Sequence, residues 1–386
     1  MLLLTSREDP FPSVVLEAMS AGVPTVAFEE AGSAPDLLRD LAAGVAVPLG
    51  DAAAMVRQLR VTALQTGPEQ RARLARLARQ RFPFADYADA LFRLAAPPLP
   101  SVSAVVTTLN YAHYLPGRLS SVFGQSLAPL EILVLDDGST DGSEAVVRDA
   151  SARAGREVRW IGAEKPGGVF AQWRRAAARA RGDFVWIAEA DDLAEPMLLE
   201  TVCAALQAEP DAAFGFADSR AIDALDAVLW DDHQAYYREA GAALLARTGS
   251  IGADRFLRAC LGARNLVLNA SAVVWRRDAL REALARAGDD LAQFRLAGDW
   301  RLYAEALTQG GSVAYVAEPL NLHRRHAGGL SHRLDPARHL EEIKRMHRHM
   351  RRLLGDDPDL LSEQRRALAT ARRALKPAAA NATLGL

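Results

Sequence analysis

The fold is decided by Leu133-Val134-Leu135-Asp136-Asp137-Gly138-Ser139-Thr140-Asp141, a buried strand that ends in carboxylates. Its apolar run predicts a central strand of a parallel sheet, and the small polar residues predict a turn directly after it. An earlier apolar run ends in Thr107-Thr108-Leu109-Asn110, and a later one ends in Glu189-Ala190-Asp191-Asp192. Because ligands of open parallel sheets bind at the carboxyl ends of strands, we expect these polar groups along one rim.

The pattern of a strand followed by a helix recurs over residues 101–332. Helical periodicity at residues 115–125 and 169–181 alternates with short strands at residues 131–135 and 159–161. Three or four successive units of this kind predict an α/β domain with a mostly parallel sheet.

Two further regions flank this domain. Residues 1–95 have an α/β pattern of their own, and residues 96–100 are predicted to be a linker because three prolines cannot continue a helix. Residues 333–386 are predicted to be a basic helical tail, with seven Lys and Arg between Arg333 and Arg352. The tail is either a solvated helical face or a contact for anionic lipid headgroups or a lipid-linked acceptor.

The composition is that of a globular protein and identifies no partner. Of 386 residues, 50% are hydrophobic and 24% are charged, and the net charge is −2, so no nucleic-acid partner is expected. No apolar run approaches the roughly 18 residues of a membrane span. Cys203 and Cys260 are too few for a disulfide framework and are expected in the core. The predicted location is the cytoplasm, with peripheral contact at the inner face of the cell membrane.

The carboxylates at the strand ends require neutralisation, because like charges along one rim repel each other. Mg²⁺ or Mn²⁺ together with a diphosphate would supply it, since these ions take oxygen ligands and complete their coordination from substrate phosphates. The structural alternative is that Asp192 N-caps a helix beginning at Leu193, with Glu195 completing a capping box.

In their order and spacing, residues 102–110, 133–141 and 182–192 resemble a family 2 glycosyltransferase of the GT-A fold. That family transfers a sugar from a nucleotide-diphosphate donor with inversion at the anomeric carbon. The resemblance implies that the donor nucleotide is bound by Thr107, Asn110, Asp136, Asp137 and Asp191. It also implies that the diphosphate or a Mn²⁺ or Mg²⁺ ion is held by Asp191, Asp192, Glu189 and His326.

The same resemblance implies a catalytic base and two flanking segments. Asp299 matches the family position of the carboxylate that deprotonates the acceptor hydroxyl; a role as N-cap of a helix at Trp300–Leu307 is compatible with it. Residues 269–277 resemble the border of the acceptor cleft, and His326 lies in a segment that resembles the one closing over the diphosphate. The alternative for His326 is a surface histidine.

Two positions depart from the family pattern. Glu189 stands where many relatives have Asp, which lengthens that carboxylate by one methylene. Gln172-Trp173-Arg174 stands where relatives often have Ala-Arg-Asn. Arg174 or Arg175 could still reach a phosphate, and the alternative for both is an exposed helical arginine.

Residues 1–95 resemble instead the end of a family 4 glycosyltransferase of the GT-B fold, on residues 6–26. Asp9 and Glu17 match the spacing of that family's acidic pair, although the first is usually Glu. Because the fold needs two Rossmann-like halves, the segment is expected to be a fragment with a vestigial site that binds no sugar nucleotide by itself. It is either a truncation or a remnant used for packing or oligomerisation.

The expected fold class is therefore an α/β GT-A transferase, with an N-terminal partial Rossmann-like GT-B fragment and a C-terminal helical tail. The expected function is metal-dependent, inverting transfer of a sugar to a hydroxyl of a glycan or lipid-linked acceptor in bacterial surface polysaccharide synthesis. The alternatives are a non-catalytic nucleotide- or glycan-binding scaffold and a sugar nucleotidyltransferase. The latter needs a Gly-rich, Arg-containing loop that residues 107–111 lack.

Overall fold

The computed structural model describes residues 1–6, 13–30, 32–82, 99–163, 165–329 and 334–375. The chain divides into two compact units, Met1–Leu99 and Pro100–Leu386. Of the predicted linker, residues 96–98 lie outside the described residues.

In its described residues, the first unit is a three-stranded parallel sheet in the order β1-β2-β3 with four helices. Its elements are β1 (Leu2–Leu4), α1 (Ser13–Ser20), β2 (Thr25–Phe28), α2 (Ala34–Leu41), β3 (Gly44–Val47), α3 (Ala52–Gln65) and α4 (Pro68–Arg81). Leu4, Met19 and Leu74 share a buried core, whereas Leu3 is 44% exposed and Val14 is 38% exposed.

The second unit contains ten strands and ten α-helices among the described residues. The strands are β4 (Val102–Thr108), β5 (Glu131–Asp136), β6 (Arg159–Ile161), β7 (Phe184–Glu189), β8 (Leu193–Ala194), β9 (Ala212–Ile222), β10 (Val228–Trp230), β11 (Gly249–Gly252), β12 (Val273–Arg276) and β13 (Ser312–Arg324). The helices are α5 (Leu115–Phe123), α6 (Ser143–Ala154), α7 (Val169–Arg179), α8 (Leu198–Ala208), α9 (Gln234–Glu239), α10 (Ala253–Phe256), α11 (Arg277–Ala287), α12 (Gly298–Ala306), α13 (Pro336–Leu354) and α14 (Pro358–Ala374).

The large sheet has a parallel half and a mixed half. Its order is β11-β13-β9-β12-β7-β4-β5-β6, with β10 beside β9 and β8 beside β13. The predicted α/β fold is confirmed: β7, β4, β5 and β6 run parallel. β12 is antiparallel to both β7 and β9, and β13 is parallel to β9. The carboxyl ends of β4, β5, β7 and β13 therefore lie along one rim of the sheet.

Both faces of the sheet are covered. Along β7, Val185 and Ile187 pack into one buried core and Trp186 and Ala188 into the other. Since successive side chains of a strand point to opposite faces, each face needs its own layer of helices. A sheet buried on both sides explains why its central strands are continuous apolar runs.

The basic C-terminal region packs with one face on the rest of the second unit. Residues Glu342, Met346, His347, His349 and Met350 of α13 are buried, and both methionines join the core that contains Trp275. Arg348 and Arg352 on the other face are exposed. The interpretation as a solvated face therefore holds for one side of α13, because the other side is buried. Within the described part of the chain, none of the helices has the length and apolar character to span a bilayer.

A close contact at Gly298 leads to the first prediction. A Cβ added there would lie 2.3 Å from the ring of Phe170, which is buried. Gly298→Ala is expected to destabilise the second unit by roughly 1–3 kcal/mol because the ring cannot retreat. Denaturant unfolding midpoints measure this. Gly249→Ala is the control, because its Cβ meets nothing within 4 Å; equal midpoints for the two variants would contradict the prediction.

Candidate functional site

The turn after β5 is held by its own carboxylate. Asp136 is buried, and it accepts hydrogen bonds from the backbone N–H groups of Gly138 and Ser139 at 3.1 and 3.0 Å. Asp136 therefore closes the turn and directs the residue that follows it.

Asp137 faces the loop before α7. Its carboxylate accepts hydrogen bonds from the N–H groups of Gly167 and Gly168 at 2.9 and 2.8 Å. Gly168 has φ of 82°, a conformation that L residues rarely adopt. The glycine pair thus lets two successive N–H groups point at one carboxylate.

Arg174 and Arg175 are directed at backbone carbonyls. The Arg175 guanidinium donates to the carbonyls of Asp136 and Ile161 at 3.1 and 2.8 Å, and Arg174 donates to the carbonyl of Gly288. The Arg175 contacts hold the ends of β5 and β6 together. Both arginines therefore have structural partners in place of a phosphate.

The end of β4 is tied to both neighbouring strands. The Thr107 carbonyl accepts a hydrogen bond from the N–H of Ala190 at 3.1 Å. Asn110 has φ of 59°, donates its N–H to the Ser139 hydroxyl at 2.8 Å and accepts from the Thr140 N–H at 2.8 Å. Asn tolerates this conformation better than most residues, so it can link the two turns.

Asp192 lies in a cage of donors and is only 2% exposed. It accepts hydrogen bonds from Asn269 Nδ2 at 2.9 Å, the Ser271 hydroxyl at 2.7 Å and the Arg324 N–H at 2.8 Å. Arg118 Nη2 is 4.0 Å from the same carboxylate. With these partners Asp192 holds three segments of the chain together, and both of its oxygens accept hydrogen bonds from the protein.

The N-cap interpretation of Asp192 is wrong. The residues after it form β8, which pairs with β13, and α8 begins only at Leu198. The sequence pattern of a capping box is present, but pairing with β13 keeps the chain extended. Tertiary contacts therefore override the local helix signal.

Arg118 is a buried cation beneath the acidic segment, which comprises Glu189, Asp191 and Asp192. It is 0% exposed, and its Nε donates to the Glu189 carbonyl at 2.8 Å. Burial lowers the pKa of Arg118 to about 10, and the nearby carboxylate of Asp192 opposes that shift. Arg118 therefore remains charged at neutral pH and compensates the acidic segment from inside the protein.

The surroundings of Glu189 disfavour the ionised form of its carboxyl. Burial raises the pKa of its carboxyl well above the ordinary value of 4.5, and the negative charges of Asp192, Asp191 and Asp299 raise it further. A neutral carboxyl is a poor metal ligand, because metal binding requires the deprotonated form.

Asp191 and His326 form a pair at the mouth of the site. Asp191 Oδ2 and His326 Nε2 are 3.0 Å apart, and their side chains are 19% and 8% exposed. A pocket of about 510 Å³ is lined by residues that include Asn110, Tyr111, His113, Tyr114 and His326. His326 is thus a part of the site and is not the surface histidine of the alternative interpretation.

The fit of a divalent cation depends on this pair. Among the described residues, no group of three or more His, Cys, Asp or Glu is arranged to hold a metal ion. The Asp191 carboxylate nonetheless fits Mg²⁺ or Mn²⁺, and the His326 imidazole suits Mn²⁺ better than Mg²⁺, because Mg²⁺ is the harder ion; both ions take few protein ligands and complete their coordination with substrate phosphates and water. Of the predicted metal ligands, Asp191 and His326 fit this requirement, and Asp192 and Glu189 do not.

Asp299 lies in the first turn of α12. Its carboxylate accepts hydrogen bonds from the Trp300 N–H at 2.6 Å and from Asn265 Nδ2 at 3.1 Å. Burial raises the pKa of Asp299 from 3.8 to about 7, although both hydrogen bonds act in the opposite direction. A carboxylate with this pKa is ionised in about half of the molecules at neutral pH.

The N-cap interpretation of Asp299 is also wrong. α12 begins at Gly298, and its N-cap is Ala297, which offers no side-chain hydrogen bond. Asp299 is therefore inside the helix, and the backbone N–H that it accepts from is that of the adjacent Trp300.

Four of the predicted site residues interact electrostatically. The pKa of the Glu189 carboxyl is raised by burial and by the negative charges of Asp192, Asp191 and Asp299. Asp136 and Asp137 lie together at the end of β5, where burial lowers the pKa of Arg175 and the negative charges of both carboxylates oppose that shift. In the other unit, Glu17 lies exposed on α1, and Asp9 lies outside the described residues.

Four residues of the site were missed or given no role in the sequence analysis. Arg118 had a usable signal, because it lies on the apolar face of α5 between Leu115 and Val122. Ser271 and Asn265 had none, since each gains its role through a contact with a residue distant in the sequence. Glu342, whose carboxylate accepts from the N–H groups of residues 295–297, stands in a charged helix with no distinguishing pattern.

Comparison with protein families agrees with both resemblances. Residues 103–247 match the family described as glycosyl transferase family 2, and residues 1–81 match the family described as glycosyl transferases group 1.

Several curated proteins are similar to parts of the chain. An uncharacterized protein of Mycobacterium tuberculosis is 25% identical over 233 residues, which is 60% of each chain. An uncharacterized glycosyltransferase of Nostoc is 32% identical over 28% of this chain and 33% of its own. The O-antigen biosynthesis protein RfbC of Myxococcus xanthus is 34% identical over 35% of this chain and 11% of its own. The chain thus spans 60% of the length of its mycobacterial relative.

Two solved structures are also similar. Staphylococcus aureus TarS 1–349 in complex with UDP is 16% identical, with a TM-score of 0.48 and 70% of each chain covered. The mannosyltransferase PcManGT of Pyrobaculum calidifontis, in complex with GDP-Man and Mn²⁺, is 20% identical with a TM-score of 0.49, covering 78% of this chain and 84% of its own.

The buried acidic segment and the turn after β5 both lie within the matched range of the second unit. The second unit thus contains a range, residues 103–247, that matches glycosyl transferase family 2, and the first unit contains a range, residues 1–81, that matches the glycosyl transferases group 1.

Proposed function

We propose that the second unit transfers a sugar from a nucleoside-diphosphate donor to a hydroxyl group of an acceptor, with inversion at the anomeric carbon. The observation that carries the proposal is the position of Asp299. An ionisable carboxylate from α12 lies within electrostatic reach of the acidic segment at the end of β7. This arrangement supports a base beside the expected place of the donor.

In this proposal the donor nucleotide lies along the ends of β4 and β5. Thr107, Asn110 and Asp137 provide hydrogen-bonding groups at these ends, and Asp136 holds the turn in place. A carboxylate that accepts from a ring N–H gives strong discrimination because the hydrogen bond is charge-assisted. Asp137 has this role in the proposal.

Asp191 and His326 would hold a Mg²⁺ or Mn²⁺ ion, which would stabilise negative charge on the departing nucleoside diphosphate. The protein's own contribution is to keep these two side chains paired. Arg324 supports them from behind: its N–H donates to Asp192, and its guanidinium donates to the Asp191 carbonyl at 2.5 Å.

Asp299 acts as the general base. The acceptor oxygen attacks the anomeric carbon as the bond from that carbon to the diphosphate oxygen breaks, and the hydroxyl proton passes to the Asp299 carboxylate. The products are the glycosylated acceptor and the nucleoside diphosphate. Asn265 keeps one oxygen of Asp299 oriented.

The acceptor we propose is a glycan or a lipid-linked glycan of a bacterial surface polysaccharide. Similarity to proteins named for O-antigen biosynthesis and chondroitin synthesis supports this class. The exposed Arg348 and Arg352 of α13 would provide peripheral contact with an anionic membrane surface. A screen of nucleotide sugars for metal-dependent hydrolysis identifies the donor, and absence of turnover with every donor and acceptor class would favour the scaffold alternative.

The second prediction concerns Asp299→Asn. It is expected to lower kcat by at least a thousandfold because the amide cannot accept the proton, while donor affinity changes less than threefold. Steady-state kinetics and calorimetry with the donor measure the two effects. The control is Asp289→Asn, an exposed carboxylate in the short helix Gly288–Gln293. Full activity of Asp299→Asn would exclude the base assignment.

The third prediction is the pH dependence. Since only ionised Asp299 accepts a proton and its pKa is about 7, kcat/KM should rise with pH through 7 and level off above it. Two pH units below the pKa, the rate should be about one hundredth of the plateau. Asn265→Ala removes a hydrogen bond that favours the ionised form of Asp299. The rise of kcat/KM with pH, which is the acid limb of the profile, should therefore move to higher pH. A limb that stays in place or moves lower contradicts this.

The fourth prediction concerns the cation. His326→Ala is expected to weaken Mn²⁺ binding at least tenfold in the presence of UDP or GDP, because one of two protein ligands is lost. Mn²⁺ electron paramagnetic resonance measures the free ion independently of turnover. His113→Ala is the control, because its ring lies in the same pocket and packs on Tyr114. Identical Mn²⁺ affinity in the two variants would refute a role for His326.

A further inference from the structure

We propose that Glu342 of α13 is a positioning residue for Asp299: it anchors the backbone that leads into α12 and so sets the direction in which the Asp299 carboxylate faces. The inference rests on the proposed role of Asp299 as the base. It assigns a function to the C-terminal helices that neither their charge nor their sequence pattern indicates.

The carrying observation is a buried carboxylate with three backbone donors. Glu342 is 3% exposed and accepts hydrogen bonds from the N–H groups of Arg295, Leu296 and Ala297 at 2.8, 2.9 and 2.9 Å. These residues directly precede α12, and Asp299 follows two positions after Ala297. A rotation of this segment would therefore rotate the Asp299 side chain with it.

The three N–H groups are the main partners of this charge. Its nearest cation is Arg338, whose Nε is 3.9 Å away and whose side chain is 50% exposed, so that pair contributes little. A buried carboxylate is costly unless it is hydrogen-bonded. The same three bonds therefore satisfy Glu342 and fix the segment, which ties its burial to the geometry at Asp299.

A second segment, which carries Asn265, also contacts Asp299, and it is held by α13 and α14. His347 Nε2 is 2.9 Å from the carbonyl of Ala263, and Gln364 Nε2 of α14 donates to the carbonyl of Gly262 at 2.8 Å. The loop that follows carries Asn265, which bonds Asp299 Oδ2. The ring of Trp300 also lies edge-on to His347. The segment that leads into α12 and the segment that carries Asn265 are thus both held by the C-terminal helices α13 and α14.

Charge adds a signature that a purely structural role would lack. Glu189 and Tyr303 face Asp299, and Glu342 lies close enough for its negative charge to raise the pKa of Asp299. Arg338 and His339 face Glu342 itself. Removing the charge of Glu342 should lower the pKa of Asp299 and move the acid limb of kcat/KM to lower pH. This shift is opposite to the one expected from Asn265→Ala.

The test, the fifth prediction, compares Glu342→Gln with Glu341→Gln in the full chain. Glu341 is the matched control, because it is on the same helix and its side chain is 51% exposed. For Glu342→Gln we expect kcat to fall at least tenfold, donor Kd to change less than threefold, the acid limb to move to lower pH and amide exchange at residues 295–297 to accelerate. Glu341→Gln should match the parent protein in all four measurements.

Glu342→Asp separates geometry from charge and replaces Glu342→Gln if that variant does not fold. It keeps the charge but shortens the side chain, so kcat should fall while the acid limb stays in place. A folded Glu342→Asp with faster exchange at residues 295–297 and the kcat of the parent protein would overturn the inference.

The remaining outcomes distinguish this inference from the proposed function. If Glu342→Gln has the kcat and pH profile of Glu341→Gln while Asp299→Asn is inactive, the positioning role is overturned and the base assignment stands. If Asp299→Asn is fully active, or the parent protein turns over no donor, the proposed function fails and this inference fails with it.

Discussion

The rest of the site depends on the burial of the Asp192 carboxylate. Its three hydrogen-bond donors are the Arg324 N–H in β13, the Ser271 hydroxyl and the Asn269 side chain, and Arg118 lies behind it. Because a buried charge must be satisfied, these contacts fix the ends of β7 and β13 and the segment before β12 relative to one another. Asp191, the next residue back, is thereby held at the surface beside His326.

This cage changes the electrostatics of the acidic rim. A count of carboxylates from the sequence predicts strong repulsion and hence a need for a cation. In the structure, donors satisfy Asp192, burial raises the pKa of Glu189 and Arg118 is a buried positive charge. The protein itself thus compensates most of the rim, and the ion-binding role that we propose rests on Asp191 and His326.

Asp299 illustrates a different use of burial. A base needs a pKa close to the working pH, and an exposed aspartate would be too weak a base. Burial raises its pKa, whereas the hydrogen bonds of Trp300 and Asn265 keep enough of it ionised. The balance depends on the segments before α12 and around Asn265, and α13 and α14 pack against both. The helical C-terminal region consequently supports both segments that contact or carry Asp299.

The sequence by itself determined the α/β fold class, the strands that form the parallel half of the sheet and the rim where polar residues gather. These features depend on local periodicity and on the rule that parallel strands end at one edge. Only the tertiary structure decided which carboxylates are buried, neutral or available. Asp192 and Glu189 look equivalent to Asp191 in the sequence, but pairing of β8 with β13 and the donors of distant segments separate them. Contacts such as that of Glu342 with residues 295–297 join positions more than forty residues apart, so no local pattern encodes them.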